Sequence, residues 1–240
     1  MPDLHISTII PVYNCERYLG NAIQSVLDQT IVPSEIIVVN DGSINNSATV
    51  ARAFKQNVYC IHQSNQGAAV ARNIGVRHAT GDLLTFLDAD DLWTPDKLYR
   101  QVTFLQEASQ EAIIGRVENF ISPELNDHQK QILAKSAAQG ANIHIGSLLI
   151  RRNAFMRVGW FDTRWRHGEF IEWWARAMNL NLAYKILPDM VMRRRLHADN
   201  LMRREKDGRM DYLGILREML VQRRAISSPA GQPEGLNPDG

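Results

Sequence analysis

Short apolar runs alternate with amphipathic segments along the first hundred residues, and this alternation limits the folds that the chain can adopt. The apolar runs predict four strands, at residues 7–10, 35–39, 58–62 and 82–87. The segments between them predict three helices, at residues 16–27, 48–54 and 66–78. Because strands separated by single helices connect by right-handed crossovers, the pattern predicts an α/β fold with a mostly parallel sheet of the nucleotide-binding type.

Composition narrows the class of protein. A chain of 240 residues with 45% apolar residues can form one large domain or two closely packed lobes. The net charge of +1 gives no overall attraction to nucleic acid, so we expect no nucleic-acid partner. Cys15 and Cys60 fit neither a disulfide framework nor a metal-ligand spacing, which favours a reducing compartment. We also expect no signal peptide and no membrane span, and we predict a cytoplasmic location.

Polar residues follow three of the predicted strands, at residues 11–14, 40–43 and 88–91. Each group alone could be ordinary turn chemistry. In open α/β sheets, however, ligands bind beyond the carboxyl ends of the strands, so three such groups favour one shared crevice. The glycine-rich fingerprints of dinucleotide enzymes and of P-loop NTPases are absent from the sequence.

The third polar group contains three carboxylates, those of Asp88, Asp90 and Asp91. Hard oxygen ligands at close spacing suit Mg²⁺ or Mn²⁺, which usually accompany phosphate oxygens. This pattern therefore points to a metal–diphosphate site. The alternative is an acidic loop that caps the helix predicted to begin near Pro95.

Four motifs together resemble glycosyltransferase family 2. They are Pro-Val-Tyr-Asn at 11–14, Val-Asn-Asp-Gly-Ser at 39–43, the segment 65–75, and Leu-Asp-Ala-Asp-Asp at 87–91. The resemblance implies the GT-A fold, a mostly parallel sheet flanked by helices. A Rossmann-like nucleotide-binding half would occupy residues 1–105 and a smaller acceptor-binding half residues 106–200. It also implies a metal-dependent, inverting transfer from a nucleotide-sugar donor, UDP-linked, to a saccharide, lipid carrier or peptide.

The resemblance assigns the nucleotide pocket to particular residues. Pro11, Tyr13 and Asp41 are expected to line the base pocket, with Asp41 accepting a hydrogen bond from a uracil-like imide. Many relatives carry a second acid where this chain has Asn40. Arg72 is expected to reach the nucleotide base or the diphosphate. The alternative interpretation is that Arg72 lies on a helix surface and has no role in binding.

The same resemblance assigns the metal site. Asp88 is expected to contact the ribose, and Ala89 and Asp90 are expected to line the nucleotide-sugar pocket beside it. Asp90 is also expected to ligate Mn²⁺ or Mg²⁺. His197 is expected as a further metal ligand, with its neutral imidazole as donor. Asp91 would cap the next helix or support the site.

The catalytic base departs from the family pattern. In most relatives a helix opens with Glu-Asp and the Asp is the base, but here Phe170 stands in its place. Glu169 and Glu172 lie three residues apart and share a helix face, so either could replace it. Each glutamate also has a non-catalytic interpretation. Glu169 would be a carboxylate that the helix dipole favours at a helix start. Glu172 would be a surface residue paired with Arg176.

Two other functions stay open on the sequence alone. Phe170 also fits a catalytically weak or inactive nucleotide-sugar-binding protein. A nucleotidyltransferase would share the sheet and the metal chemistry, but its glycine-rich N-terminal phosphate loop is missing.

The second half of the chain gives weaker patterns. A strand at residues 183–187 is predicted to end in a turn at Pro188, after which one of the arginines at 193–195 would hold the diphosphate. The polar stretch 122–140 suggests a loop over the acceptor site.

The C-terminal region is predicted to form an amphipathic helix at residues 201–226 and a disordered tail at 227–240. The helix would either pack on the main domain or contact the inner face of an anionic membrane peripherally, through residues 203–224.

Overall fold

The computed structural model describes residues 4–55, 57–107, 109–137, 143–198, 211 and 213–219. Most of the predicted C-terminal helix and the whole predicted tail lie outside these residues. Residues 213–219 are helical and pack on the domain through the buried Ile215 and an ion pair between Arg164 and Glu218. Within the described ranges, no helix is long and apolar enough to span a membrane.

The strands form one sheet. They are β1 (Ile6–Val12), β2 (Glu35–Asp41), β3 (Val58–Gln63), β4 (Leu83–Phe86), β5 (Leu92–Trp93), β6 (Ala112–Ile121), β7 (Leu148–Arg151) and β8 (Tyr184–Leu196). Their order across the sheet is β3-β2-β1-β4-β7-β6-β8-β5. The four strands β3, β2, β1 and β4 are parallel, as the sequence predicts. In the second half, β7 runs antiparallel to both β4 and β6, while β8 runs parallel to β6.

Helices cover both faces of the sheet. They are α1 (Glu16–Leu27), α2 (Ser47–Ala53), α3 (Ala68–His78), α4 (Lys97–Glu107), α5 (Asp127–Ala137), α6 (Arg152–Val158) and α7 (Glu169–Asn179), with a short 3-10 turn at Ile145–Ser147. Neighbouring residues of β1 show how the core divides. Ile10 packs with Leu19 and Ile23 of α1, whereas Ile9 packs with residues of α3, α6 and α7. Successive strand side chains point to opposite faces, so one apolar strand supplies two cores.

Two expectations for the second half are wrong. Pro188 does not end a strand in a turn but lies within β8, where Ile114 pairs with Ile186 and Arg116 pairs with Met190. The extra residues on β8 form a bulge, and a bulge tolerates proline because its missing N–H breaks no ladder bond there.

The polar stretch 122–140 is the second correction, since it contains helix α5 rather than an extended loop. Leu125 and Leu133 from this stretch are buried together with Leu196 at the end of β8. Two leucines eight residues apart are too sparse a pattern to predict a helix from sequence, but they are enough to anchor one.

Two glycines in helix interiors allow a matched test of packing. A Cβ atom at Gly75 in α3 would collide with Cγ2 of Ile9, whereas at Gly20 in α1 the nearest atom is 3.7 Å away. We expect Gly75→Ala to lower the free energy of unfolding by about 1–2 kcal/mol, because overpacking outweighs the gain in helix propensity. Gly20→Ala should leave it unchanged or raise it by up to about 1 kcal/mol. Urea denaturation measures both, and equal effects would contradict the packing.

Candidate functional site

An open crevice of about 1140 Å³ lies at the carboxyl ends of β1, β2 and β4. All three polar loops contribute to it, as the strand pattern predicts. The predicted site residues that line it are Pro11, Tyr13, Asp41, Arg72, Asp88, Ala89, Asp90, Glu169 and His197. Glu172 is not among the lining residues.

Asp41 shapes one end of the crevice. Its carboxylate accepts hydrogen bonds from the backbone N–H groups of Gln66 and Gly67, both at 2.8 Å, and from the side chain of Gln63 at 2.6 Å. Gly67 has φ of 95°, a conformation that favours glycine. Asp41 therefore ties the loop before α3 to the end of β2, and Tyr13 forms an exposed wall nearby.

Arg72 is buried at the centre of the crevice and is not a helix-surface arginine. Its guanidinium donates to Asp88 Oδ1 at 2.5 Å and to Glu169 Oε1. Burial alone would lower the pKa of Arg72, but the two carboxylates outweigh it and raise that pKa. Burial likewise opposes ionisation of Asp88, yet Arg72 holds the pKa of Asp88 below its ordinary value. This pair of contacts joins α3, the loop after β4 and the start of α7.

Asp90 and His197 meet on the other side of the loop. Nε2 of the buried His197 lies 2.9 Å from Asp90 Oδ2, and its ring packs against Tyr18 with a centroid distance of 4.8 Å. The sequence predicted these two residues as metal ligands, and they are in direct contact.

Asp91 is buried and does not cap α4, which begins only at Lys97. Its Oδ1 accepts the backbone N–H of Arg195 at 2.8 Å. Burial, together with the negative charges of Asp90 and Asp88, raises the pKa of Asp91 well above its ordinary value. Asp91 therefore supports the site by holding the backbone of β8 against the acidic loop. Of the two roles that the sequence left open, capping the next helix and supporting the site, it has the second.

One further group among the described residues could hold a metal ion. Possible ligand atoms of Asp88, Asp91 and His144 all lie within 4.8 Å of one another. Sequence reasoning missed His144, and its position two residues before the Gly146–Ser147 turn was the available signal. Both candidate ligand sets use the carboxylates of the loop after β4.

The three consecutive arginines of β8 have different surroundings. Arg195 lies between the rings of Tyr18 and Phe120, each centroid 4.7 Å from its guanidinium carbon. Arg193 pairs with Glu118 at 3.4 Å. Arg194 lines the crevice and makes no ion pair with the part of the chain that the structure describes. Of the three, Arg194 is the one available to a bound anion.

The two glutamates proposed as catalytic bases both lie on α7, but their side chains have different surroundings. Glu169 faces the crevice and contacts Arg72, whereas Glu172 pairs with Arg176 through bonds of 2.6 and 2.9 Å. Phe170 is buried, and its ring lies 6.2 Å from that of Trp173 and 6.0 Å from that of Trp174. The position that the resemblance gives to the base is therefore part of the aromatic core.

A contact that sequence reasoning missed joins α1 to the loop before α5. The hydroxyl of Tyr18 donates to Glu124, and both residues line the crevice. Burial and the bond to Glu124 raise the pKa of Tyr18 to about 12. These residues are 106 positions apart, so no local sequence signal could pair them.

The sequence of the chain is similar to that of known glycosyltransferases. Residues 7–165 match the family model described as Glycosyl transferase family 2. An uncharacterised glycosyltransferase of Rickettsia typhi is 28% identical over 191 residues, which cover 75% of this chain and 60% of the relative. One of Nostoc is 37% identical over 144 residues, covering 58% and 43%.

A solved structure shows the same fold. The crystal structure of S. aureus TarS 1-349 in complex with UDP-GlcNAc superposes with a TM-score of 0.74 at 18% identity, covering 91% of this chain and 66% of that one. The predicted GT-A fold is thereby confirmed. The chain spans 43% to 60% of the length of the two relatives described above.

The environment of Asp91 predicts a pH-dependent gain in stability from Asp91→Asn in the metal-free protein. Asn keeps an oxygen for the N–H of Arg195 but removes a buried ionisable group. Because the native pKa of Asp91 is raised, the native state keeps a proton that the unfolded chain releases near pH 3.9, so the wild type loses stability as pH rises above that value. The gain should be absent near pH 4 and present at pH 7.

Urea unfolding in chelator at both pH values measures this gain. Asp96→Asn is the control, because Asp96 pairs with Arg100 and does not line the crevice. A stability difference for Asp91→Asn that is the same at pH 4 and pH 7 would contradict the prediction.

Proposed function

The chain belongs to glycosyl transferase family 2, and from that premise we propose that it transfers a sugar from a UDP-linked donor to an acceptor hydroxyl. The transfer would invert the anomeric carbon and depend on Mn²⁺ or Mg²⁺. One observation carries the proposal: the acidic loop after β4 contacts Arg72, which also holds Glu169, on one side and His197 on the other, within a single crevice. An arginine, a metal-binding loop and a separate carboxylate are the groups that this chemistry needs.

The donor pocket lies at the Asp41 end of the crevice. Pro11 and Tyr13 would contact the base, and Asp41 would accept its imide N–H. The oxygens of Asp41 already accept three hydrogen bonds, but an ionised carboxylate has about four acceptor sites, so one stays available. The bound UDP-GlcNAc in TarS supports a nucleotide-sugar donor for this chain.

The acidic loop fits a divalent cation. Three carboxyl groups lie close together, and burial, followed by repulsion from the charges of Asp90 and Asp88, raises the pKa of Asp91. A cation at this place would relieve that repulsion, and oxygen ligands suit Mg²⁺ and Mn²⁺. Asp90 and His197 would hold it. When bound, it would neutralise negative charge on the leaving diphosphate.

Two arginines have separate roles: one would bind the leaving diphosphate, and the other holds the catalytic base. Arg194 would donate to diphosphate oxygens, since forked guanidinium donors suit phosphate. Arg72 fixes the carboxylate of Glu169 through its Oε1. Glu169 would then take the proton from the acceptor hydroxyl with its other oxygen, from a fixed position in the crevice.

A second function is favoured by one observation. Phe170 occupies the usual base position and is buried in the aromatic core, which fits a nucleotide-sugar-binding protein with weak activity or none. The family match leaves a nucleotidyltransferase without support. Saccharide, lipid carrier and peptide all stay open as acceptors. A cytoplasmic location and a peripheral membrane contact through residues 203–224 also stay predictions.

Asp90→Ala should abolish the Mn²⁺-dependent part of UDP binding. Outer-shell changes at metal sites already weaken them by 10- to 100-fold, so losing a ligand should weaken UDP binding in Mn²⁺ by more than about 100-fold. Calorimetry with Mn²⁺ and with chelator measures this, and chelator should bring the wild type to the level of the variant. Asp96→Ala is the matched control outside the crevice. Unchanged affinity of Asp90→Ala would remove the metal site.

Glu169→Gln and Glu172→Gln should separate the two candidate bases. Gln can still accept from Arg72 or Arg176, so both variants should fold and bind UDP like the wild type. We expect Glu169→Gln to slow hydrolysis of a UDP-sugar by about 10²- to 10⁴-fold, because a general base contributes that much. Glu172→Gln should stay within a few-fold of the wild type.

The outcomes of this comparison are distinct. A loss of turnover in Glu172→Gln alone would transfer the role of base to Glu172. Tight binding of UDP-sugars by a wild type that shows no turnover, with a panel of acceptors present, would favour the binding protein over the enzyme.

A further inference from the structure

His144 approaches Asp88 from a rigid turn. Its Nδ1 accepts the backbone N–H of Gly146 at 3.1 Å, and its carbonyl oxygen accepts the N–H and the hydroxyl of Ser147 at 3.0 and 2.7 Å. The carbonyl of Gly146 in turn accepts the indole N–H of Trp93 at 2.8 Å. A Cβ atom at Gly146 would collide with Sδ of Met192, so the turn is closely packed. The imidazole is therefore held in one orientation.

The hydrogen bond from Gly146 fixes the tautomer of this ring. A backbone N–H can only donate, so Nδ1 must carry a lone pair, and the neutral ring carries its hydrogen on Nε2. Burial lowers the pKa of His144 to about 4, with Arg194 and Arg72 acting in the same direction against Asp88 and Asp90. With Nδ1 accepting from Gly146, the ring presents an N–H donor at Nε2.

That donor faces Asp88. Nε2 of His144 lies 3.8 Å from Oδ2 of Asp88, while Oδ1 of the same carboxylate accepts from Arg72 at 2.5 Å. The separation of 3.8 Å is longer than a hydrogen bond. Active-site hydrogen bonds are often long in the ligand-free protein and shorten in the complex. Asp88 therefore has one donor in place on its first oxygen and a second donor close to the other.

We propose that His144 is a positioning residue for the donor nucleotide: its Nε2–H orients Oδ2 of Asp88 toward a ribose hydroxyl. This inference rests on the proposed function and on the ribose contact that the family resemblance implies for Asp88. It also means that His144 does not ligate the metal. Ligation through Nε2 would move the ring hydrogen to Nδ1, where it would face the N–H of Gly146.

Two amide substitutions separate the two ring nitrogens. In His144→Asn, the amide oxygen lies near the former Nδ1 and can still accept from Gly146, but the donor toward Asp88 is lost. In His144→Gln, the longer amide reaches the former Nε2 and can donate to Asp88, but the acceptor for Gly146 is displaced. Melting temperature reports on the turn, and UDP affinity in Mn²⁺ reports on Asp88.

We expect His144→Asn to melt like the wild type and to bind UDP about tenfold more weakly, the effect of losing one hydrogen bond to a charged group. His144→Gln should melt at a lower temperature and bind UDP within about threefold of the wild type. With 2′-deoxy-UDP or 3′-deoxy-UDP, whichever lacks the hydroxyl that Asp88 contacts, the penalty of His144→Asn should shrink. A purely structural histidine would show no such dependence on the ribose.

Three results would overturn the inference while leaving the proposed function in place. Wild-type affinity for UDP in His144→Asn would show that the donor has no role, and an equal penalty with UDP and both deoxy analogues would show that it does not act on the ribose. Loss of Mn²⁺ binding without nucleotide in His144→Asn, measured by electron paramagnetic resonance, would make His144 a ligand. A wild type that binds neither UDP nor UDP-GlcNAc would instead overturn the proposed function, and the inference with it.

Discussion

The buried guanidinium of Arg72 is the constraint on which the crevice depends. A charged group without partners is strongly unfavourable in the interior, and removing one member of a buried ion pair typically costs about 3–5 kcal/mol. Arg72 on α3 meets this requirement with Asp88 after β4 and with Glu169 at the start of α7, which is 97 residues away along the chain. The fold can bury this arginine only when the two halves of the molecule meet at the crevice, so stability and site geometry depend on the same contacts.

The charge balance around the acidic loop follows from that arrangement. Asp88 accepts from Arg72 and Asp90 lies 2.9 Å from His197, but among the described residues Asp91 accepts a hydrogen bond only from the backbone N–H of Arg195. Its pKa is accordingly raised, by burial and then by its two acidic neighbours. The cost of ionising Asp91 is therefore not offset within the described part of the protein. A loop in this condition gains more from a bound cation than a fully paired one does, which links the stability of the ligand-free protein to its proposed function.

The sequence predicts the first half of the fold well and the second half poorly, for a physical reason. β1, β2 and β4 are buried on both faces, so they appear as continuous apolar runs, and the helices between them have regular apolar spacing. In β8, residues alternate irregularly between buried and exposed around the bulge at Pro188. The motifs of the first half likewise located the crevice, because parallel strands end at one edge. Glu124 reaches the same crevice from the second half, and His144 reaches Asp88 at its edge, both through tertiary contacts that leave no local pattern.

Packing of α7 determines which of the two glutamates faces the crevice. Residues three apart on a helix are about 60° apart around its axis, so a shared face does not fix a shared environment. Phe170 and Trp173 are committed to the aromatic core, and this sets the rotation of α7. With that rotation, Glu169 at the first turn reaches Arg72, whereas Glu172 lies beside Arg176, which also donates to the carbonyl of Val158. A base at position 170 would have to leave the core, so in this chain the neighbouring Glu169 is the carboxylate that the packing delivers to the crevice.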